Sequence, residues 1–143
     1  MRAVICHKFG SINDLVLEQV KPPEMKDDEV RIKVRAAGVS FATGLVVAGK
    51  YQRKLPLPFT PSTEVAGEVI EEAKQAQQFQ IGDRVFAILD WGGWPEKAVA
   101  KSYLTHSIPA GLEFAQATQL PISYPTAMLH QFGKEGFVEE NGC

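Results

Sequence analysis

Cysteine is scarce in this sequence and poorly placed for metal or disulfide chemistry. Cys6 and Cys143 lie at opposite ends of a 143-residue chain and form no C-x-x-C pair. That spacing argues against a clustered-cysteine metal lobe and a secretory disulfide framework, and a reducing cytoplasm is the expected compartment. Long apolar runs are missing as well. No stretch approaches the roughly 18 apolar residues of a membrane helix, and Met1-Arg-Ala-Val-Ile-Cys-His7 is too short for a signal peptide. Charge of one sign is also lacking: 15 basic and 17 acidic residues give a net charge of −2. Without a block of like charge, neither nucleic acid nor an anionic membrane is an expected partner. The densest charged cluster, Lys26-Asp-Asp-Glu29, reads as a solvated turn. No internal repeat or low-complexity linker interrupts the chain.

What is present is enough apolar material, 45% of residues, to build one core without metal or cross-links. Glu29 to Ala36 alternates: Val30, Ile32, Val34 and Ala36 share one side, and Arg31, Lys33 and Arg35 the other. Period two means a half-buried strand. Residues 3–6 and 15–20 read as earlier strands, the second stopped by Pro22-Pro23. Ser40, the apolar stretch Phe41–Ala48 and Gly49 spell a capped short helix. Leu55 to Pro61 holds three prolines in seven residues and reads as a stiff extended loop. Strands are expected again at Glu64–Glu71, Arg84–Leu89 and Pro95–Ala100. Gly82-Asp83 turns the chain before the second, and Gly92-Gly93 forms a hairpin turn between the second and third. After Pro109-Ala-Gly111 the period changes: Phe114, Ala117 and Leu120 recur at helical spacing, and a further helix is expected over Thr126–Phe132. Short strands followed by helices predict a mainly β fold, an irregular β-barrel with a helical tail.

Three segments occur in a particular order. The first is Ala36-Ala-Gly-Val-Ser-Phe-Ala42. The second is Gly49-Lys-Tyr51, followed by Leu57-Pro-Phe-Thr-Pro-Ser-Thr-Glu-Val-Ala-Gly67. The third is Phe79-Gln-Ile-Gly-Asp-Arg-Val85, followed by Gly92-Gly-Trp-Pro-Glu96. The ordered set resembles the catalytic domain of the medium-chain dehydrogenase/reductase superfamily, and within it the NADPH:quinone oxidoreductases. The resemblance covers residues 1 to about 135. It implies a GroES-like β-barrel at residues 1–122, then a helical linker at 123–143 leading to a Rossmann domain. No glycine-rich cradle for a cofactor pyrophosphate occurs in this sequence. The expectation is therefore a substrate-side domain whose NADPH-binding partner domain lies outside it, as a fragment, an engineered domain or a natural truncation. No cofactor-binding residue is expected within the chain. The complete enzyme is expected to be a homodimer.

The resemblance also frames the metal question. Zinc alcohol dehydrogenases place a cysteine at the position matched by Ser40 and a histidine at that matched by Thr63. Neutral hydroxyls are poor zinc ligands. His7, His106 and His130 have no ligand spacing, so a zinc-free protein is expected. Without a metal, conjugated acceptors are favoured: quinones and α,β-unsaturated carbonyls (enones, enoyl thioesters) spread the charge that a hydride brings. Such a site needs a hydrogen-bond donor or proton source. The expected donors are Tyr51 and Ser40. Tyr51 has a competing reading as a ring packed on the proline loop, and Ser40 one as a helix cap. Phe41, Phe59, Thr63 and Trp91 are the expected substrate-lining residues. Glu64, with no metal to tune, is expected to hold backbone amides or an arginine. Gly38 and Gly67 are expected to permit close backbone approach. A non-catalytic module that binds an apolar ligand or a protein partner is the alternative. It is favoured by Ser40 and Thr43, where the family usually has asparagine and aspartate.

Overall fold

The computed structural model describes residues 1–72 and 78–132. Strands β1 (Arg2–Ile5) and β2 (Val16–Gln19) pair antiparallel as a two-stranded sheet. Strand β3 (Glu29–Ala37) leads into helix α1 (Phe41–Val47), and β4 (Glu64–Glu71) follows the proline-rich loop. Then come β5 (Arg84–Ile88), β6 (Lys97–Lys101), β7 (Thr105–Ser107) and two helices, α2 (Phe114–Ala117) and α3 (Ser123–Phe132). The main sheet is antiparallel throughout, in the order β6-β3-β4-β5-β7.

The alternation in β3 does what its period requires. Val30 and Ile32 have no exposed surface. On the opposite side Arg31 and Arg35 pair across the strand boundary with Glu71 (2.7 Å) and Glu68 (2.9 Å). Two register shifts against β4, between Arg31 and Ile32 and between Val34 and Ala36, bend the strand as bulges do. The sheet curls into a half-barrel. Its inner face holds Val30, Ile32, Val65, Val69, Val85, Ala87, Ala98 and Ala100. Large residues face small ones here, with Val30 opposite Ala100 and Ile32 opposite Ala98. Gly67 allows β3 and β4 to close: a Cβ there would collide with the Lys33 carbonyl oxygen.

β5 and β6 are consecutive in sequence but do not pair, because β4 and β3 lie between them. Gly92-Gly-Trp-Pro-Glu96 is therefore a crossover and not the expected hairpin. Its far end joins β1 instead, through the Glu96 amide on the Arg2 carbonyl (3.0 Å) and a bridge between Ala3 and Pro95. Turn chemistry reverses a chain locally. The choice of partner strand follows from the apolar faces that match.

β4 is buried on both faces. Val65 and Val69 point into the half-barrel, while Ala66 packs outward with Ile108 and Ala117, against Phe114 and Leu120. Arg84 fastens this outer layer: its guanidinium sits 4.6 Å from the Phe114 ring and donates to the Leu112 carbonyl (2.6 Å). Helix α3 begins at Ser123, three residues before the expected start. Pro125 falls in its first turn, where a missing N–H breaks no helical bond.

Candidate functional site

The corner between β3 and α1 is pinned from two directions. The Gly38 carbonyl accepts from Ser62 Oγ (2.9 Å) and from Trp94 Nε1 (3.1 Å). Ser40 then caps α1, its Oγ accepting from the Thr43 amide (3.2 Å) and lying 3.0 Å from Thr43 Oγ1. The cap reading of Ser40 is thus a structural fact, and its side chain still borders the cavity described below.

The proline-rich loop ends on an unusual residue. Ser62 is fully buried and takes a left-handed conformation, φ 75°, which is uncommon for a residue with a Cβ. Its hydroxyl also meets the Glu64 amide at 3.3 Å. This kink directs the next two residues, Thr63 and Glu64, toward α1. Gly93 makes room for it, since a Cβ there would lie 2.8 Å from Ser62 Oγ. The sequence marked Gly93 only as a turn residue and Ser62 only as part of a motif, and assigned neither a role in shaping the site.

A cavity of about 290 Å³ results, lined by Ser40, Tyr51, Thr63, Glu64 and Trp91. Ile88, Leu89 and Ile122 supply apolar wall, and Ser123 adds one more hydroxyl. Glu64 stands opposite Ile88 in the β4–β5 register, so the two share the outer face of the sheet. Tyr51 and Trp91 meet edge to face, with ring centroids 6.4 Å apart. Ser40, Tyr51, Thr63 and Trp91 thus come together around one space. Phe41 and Phe59 do not line it. Phe41 is 84% exposed on the first turn of α1. Phe59 packs on Phe9 (6.2 Å) and exchanges backbone hydrogen bonds with Cys6.

Glu64 departs from its expected role. It is only 4% exposed, and its Oε1 is buried without a hydrogen-bond partner, so no amide or arginine meets that atom. The bare Cα of Gly38 lies against the carboxyl, where any Cβ would clash with Glu64 Oε2. Burial pushes the carboxyl above its ordinary value near 4.5. The sign for stability follows. At low pH the group is protonated in both states. As pH rises past 4.5 the unfolded chain ionises while the folded chain keeps its proton, so stability falls until pH passes the folded value. Asp28, hydrogen-bonded by Lys101, and Asp90, hydrogen-bonded by Arg53, are lowered instead. They add stability as pH rises toward their ordinary value near 3.8, so their window lies below that of Glu64. Glu29 and Glu96 are also lowered from near 4.5 and add stability in the same range, but they are common to the parent and a Glu64→Gln variant. From pH 4.5 upward the urea midpoint of the parent should therefore fall relative to that of Glu64→Gln. Parallel curves for the two proteins would contradict this assignment.

The histidines are scattered: His7 contacts Glu18 (2.6 Å), His106 lies against the Phe86 ring, and His130 is on α3. Among the described residues no three His, Cys, Asp or Glu side chains group as a metal site, and no helix is long and apolar enough to cross a membrane.

Residues 26–110 match the profile of the "Alcohol dehydrogenase GroES-like domain". The chain is 39% identical over 130 residues to a quinone oxidoreductase-like protein 2 homolog from Nematostella vectensis, covering 90% of this chain and 35% of that protein. It is 38% identical over 129 residues to human quinone oxidoreductase, covering 89% and 39%. The quinone oxidoreductase of Thermus thermophilus, solved also in complex with NADPH, superposes with TM-score 0.80 at 30% identity, over 94% of this chain and 41% of that one. The chain therefore spans little more than a third of the curated relatives' length. The chain belongs to the alcohol dehydrogenase GroES-like domain family, with quinone oxidoreductases of the medium-chain dehydrogenase/reductase superfamily among its relatives.

Proposed function

We propose that this chain is the acceptor-binding part of a zinc-independent, NADPH-dependent reductase of quinones or other conjugated carbonyl compounds. The observation that carries the reading is the cavity between Tyr51 and Trp91, bordered by hydroxyls and apolar wall. It suits a flat neutral ring with a carbonyl group. The same walls do not fit a dinucleotide. No lysine or arginine lines the cavity, and among the described residues no glycine-rich turn opens a helix after a strand. The pyrophosphate is assigned to a nucleotide-binding domain outside this sequence, with residues 1–122 as the substrate-side domain and 123–143 as the linker, of which 133–143 lie outside the described residues.

In the complete enzyme the cofactor supplies a hydride. The residues here orient the acceptor and answer the charge that develops on its oxygen. The ring lies beside the Tyr51–Trp91 pair, Ile88 and Leu89 exclude water, and the Tyr51 phenol donates to the carbonyl oxygen. Ser40 and Thr63 stand where a zinc enzyme would hold ligands, and their neutral hydroxyls leave the oxyanion to hydrogen bonds. This makes a conjugated acceptor the natural substrate class. The reading also places the complete protein in the cytoplasm as a homodimer.

A titration tests the division of labour. The 143-residue chain alone should bind NADPH no more tightly than roughly millimolar and should not oxidise it. Joined to a nucleotide-binding domain, it should consume NADPH with a simple quinone. Tight NADPH binding by the chain alone would overturn the reading, as would failure of the joined protein to reduce any conjugated carbonyl.

A further inference from the structure

Glu64 is the one buried side chain whose polar atom is left without a partner among the described residues. An orphaned carboxyl oxygen in a protein interior is costly relative to one that is hydrogen-bonded. Glu64 also borders the cavity, so a molecule seated there lies beside the carboxyl. The surroundings define what that partner can be. From the β3–α1 corner the carboxyl meets the backbone of Gly38, with Ser40 and Ala42 nearby on the cavity wall. β5 presents Ile88, followed by Leu89, and Ile122 and Ser123 close the side near α3. Tyr51 is the other titratable group on this wall. Arg53 and Asp90, which flank Tyr51 and Trp91 in sequence, pair with each other at 2.8 Å on the exposed surface and do not line the cavity. Among the residues that line the cavity, no cation faces the carboxyl.

A ligand with a positive charge would find one buried acid and no other anion. A ligand with a carboxylate or phosphate would find no counter-charge at all. A neutral carbonyl oxygen meets what the wall offers, which is donors set in apolar surroundings. We propose that the Glu64 carboxyl, in its acid form, donates a hydrogen bond to the carbonyl oxygen of the acceptor seated beside Tyr51 and Trp91. Tyr51 and Glu64 then form a two-donor site for an oxygen that gains negative charge. Burial raises the carboxyl above its ordinary value, which favours the acid form that donation requires. The left-handed Ser62 and the bare Cα of Gly38 are the devices that place it, one turning the strand start toward the β3–α1 corner and the other leaving space for the carboxyl. This inference rests on the reading of the cavity as the acceptor site.

The experiment uses the 143-residue chain and acetophenone, a flat ring with one carbonyl that does not react with thiols, labelled with ¹³C at the carbonyl carbon. The Glu64 carboxyl carbon is followed by NMR across pH, with and without the ketone. Because only the acid form donates, ketone binding should raise the Glu64 titration midpoint, and ketone affinity should fall as pH passes that midpoint. The acetophenone carbonyl resonance should move downfield on binding. Glu64→Leu, which removes the donor, should weaken binding roughly tenfold, whereas Glu64→Gln, which keeps an N–H, should bind within about threefold of the parent and independently of pH. The midpoint measurement needs no variant, so a misfolded substitution leaves the test intact. Acetophenone that shifts the Tyr51 and Trp91 signals while leaving the Glu64 midpoint unmoved would overturn the Glu64 role alone. Acetophenone that shifts neither aromatic signal would overturn the acceptor-site reading beneath it.

Discussion

Replacing Tyr51 by phenylalanine, in the chain joined to a nucleotide-binding domain, should lower kcat for an enone by about ten- to a thousandfold while KM changes little. The substitution removes one oxygen and keeps the ring. The edge-to-face contact with Trp91 (centroids 6.4 Å apart) therefore survives, and only donation is lost. A donor that acts on charge developed in the transition state shows its effect in kcat and not in ground-state binding. Quinones should be less sensitive than enones, because a reduced quinone takes its protons readily from water. Equal kcat for the phenylalanine variant and the parent on an enone would remove Tyr51 from the mechanism. It would send the search for a donor to the other polar groups on the cavity wall, Ser40 first and then Glu64, Thr63 and Ser123.

The largest stability effect should come from the centre of β3. Ile32 has no exposed surface and sits between Val69 of β4 and Ala98 of β6 in the sheet register. Ile32→Ala deletes buried methyl and methylene groups where the neighbours are held by backbone ladders on both sides, so the gap cannot collapse easily. The expected loss is about 2–5 kcal/mol, a large share of the roughly 5–15 kcal/mol that holds a domain folded. Urea denaturation should show a lower midpoint with an unchanged slope. Phe41→Ala is the contrasting control: at 84% exposed, its truncation should alter stability by no more than about 0.5 kcal/mol. A large loss at Phe41, or a negligible one at Ile32, would contradict the core described here.

The parts of the fold that could be read from the sequence are those governed by local rules. β4 runs from Glu64 to Glu71, the expected bounds, and Ser40 and Gly49 bracket α1 because caps and left-handed glycines act on the nearest turn. The mainly β architecture followed. Pairing was harder. Gly92-Gly93 carries hairpin chemistry, yet β6 joins β3, because Ala98 and Ala100 fit opposite Ile32 and Val30. β7 was missed because Thr105-His-Ser107 shows no apolar alternation and is held by its register with Val85, Phe86 and Ala87.

The site divides in the same way. Ser40, Tyr51, Thr63 and Trp91 converge on one cavity, but Phe41 and Phe59 point elsewhere, since an aromatic residue carries no sequence mark for the face it occupies. Glu64 looked like a residue that would be tied up by amides or arginine. Its actual state depends on Ser62 adopting a positive φ, and nothing in a serine announces that conformation. Period two shows which residues share a face. It does not reveal that the outer face of β4 is also covered around Ala66, or that Glu64 is buried beside Gly38 on that same face.

The central claim, metal-free hydride reduction of a conjugated carbonyl at this cavity, can be tested in one tracer experiment. The chain joined to a nucleotide-binding domain is purified, its zinc content determined, and then supplied with NADPH deuterated at the transferred position and cyclohex-2-enone. The account predicts deuterium at the β-carbon of cyclohexanone, at a rate unchanged by a zinc chelator, with Tyr51→Phe slowing the transfer. Deuterium at the carbonyl carbon, giving an allylic alcohol in a reaction abolished by the chelator, would contradict it.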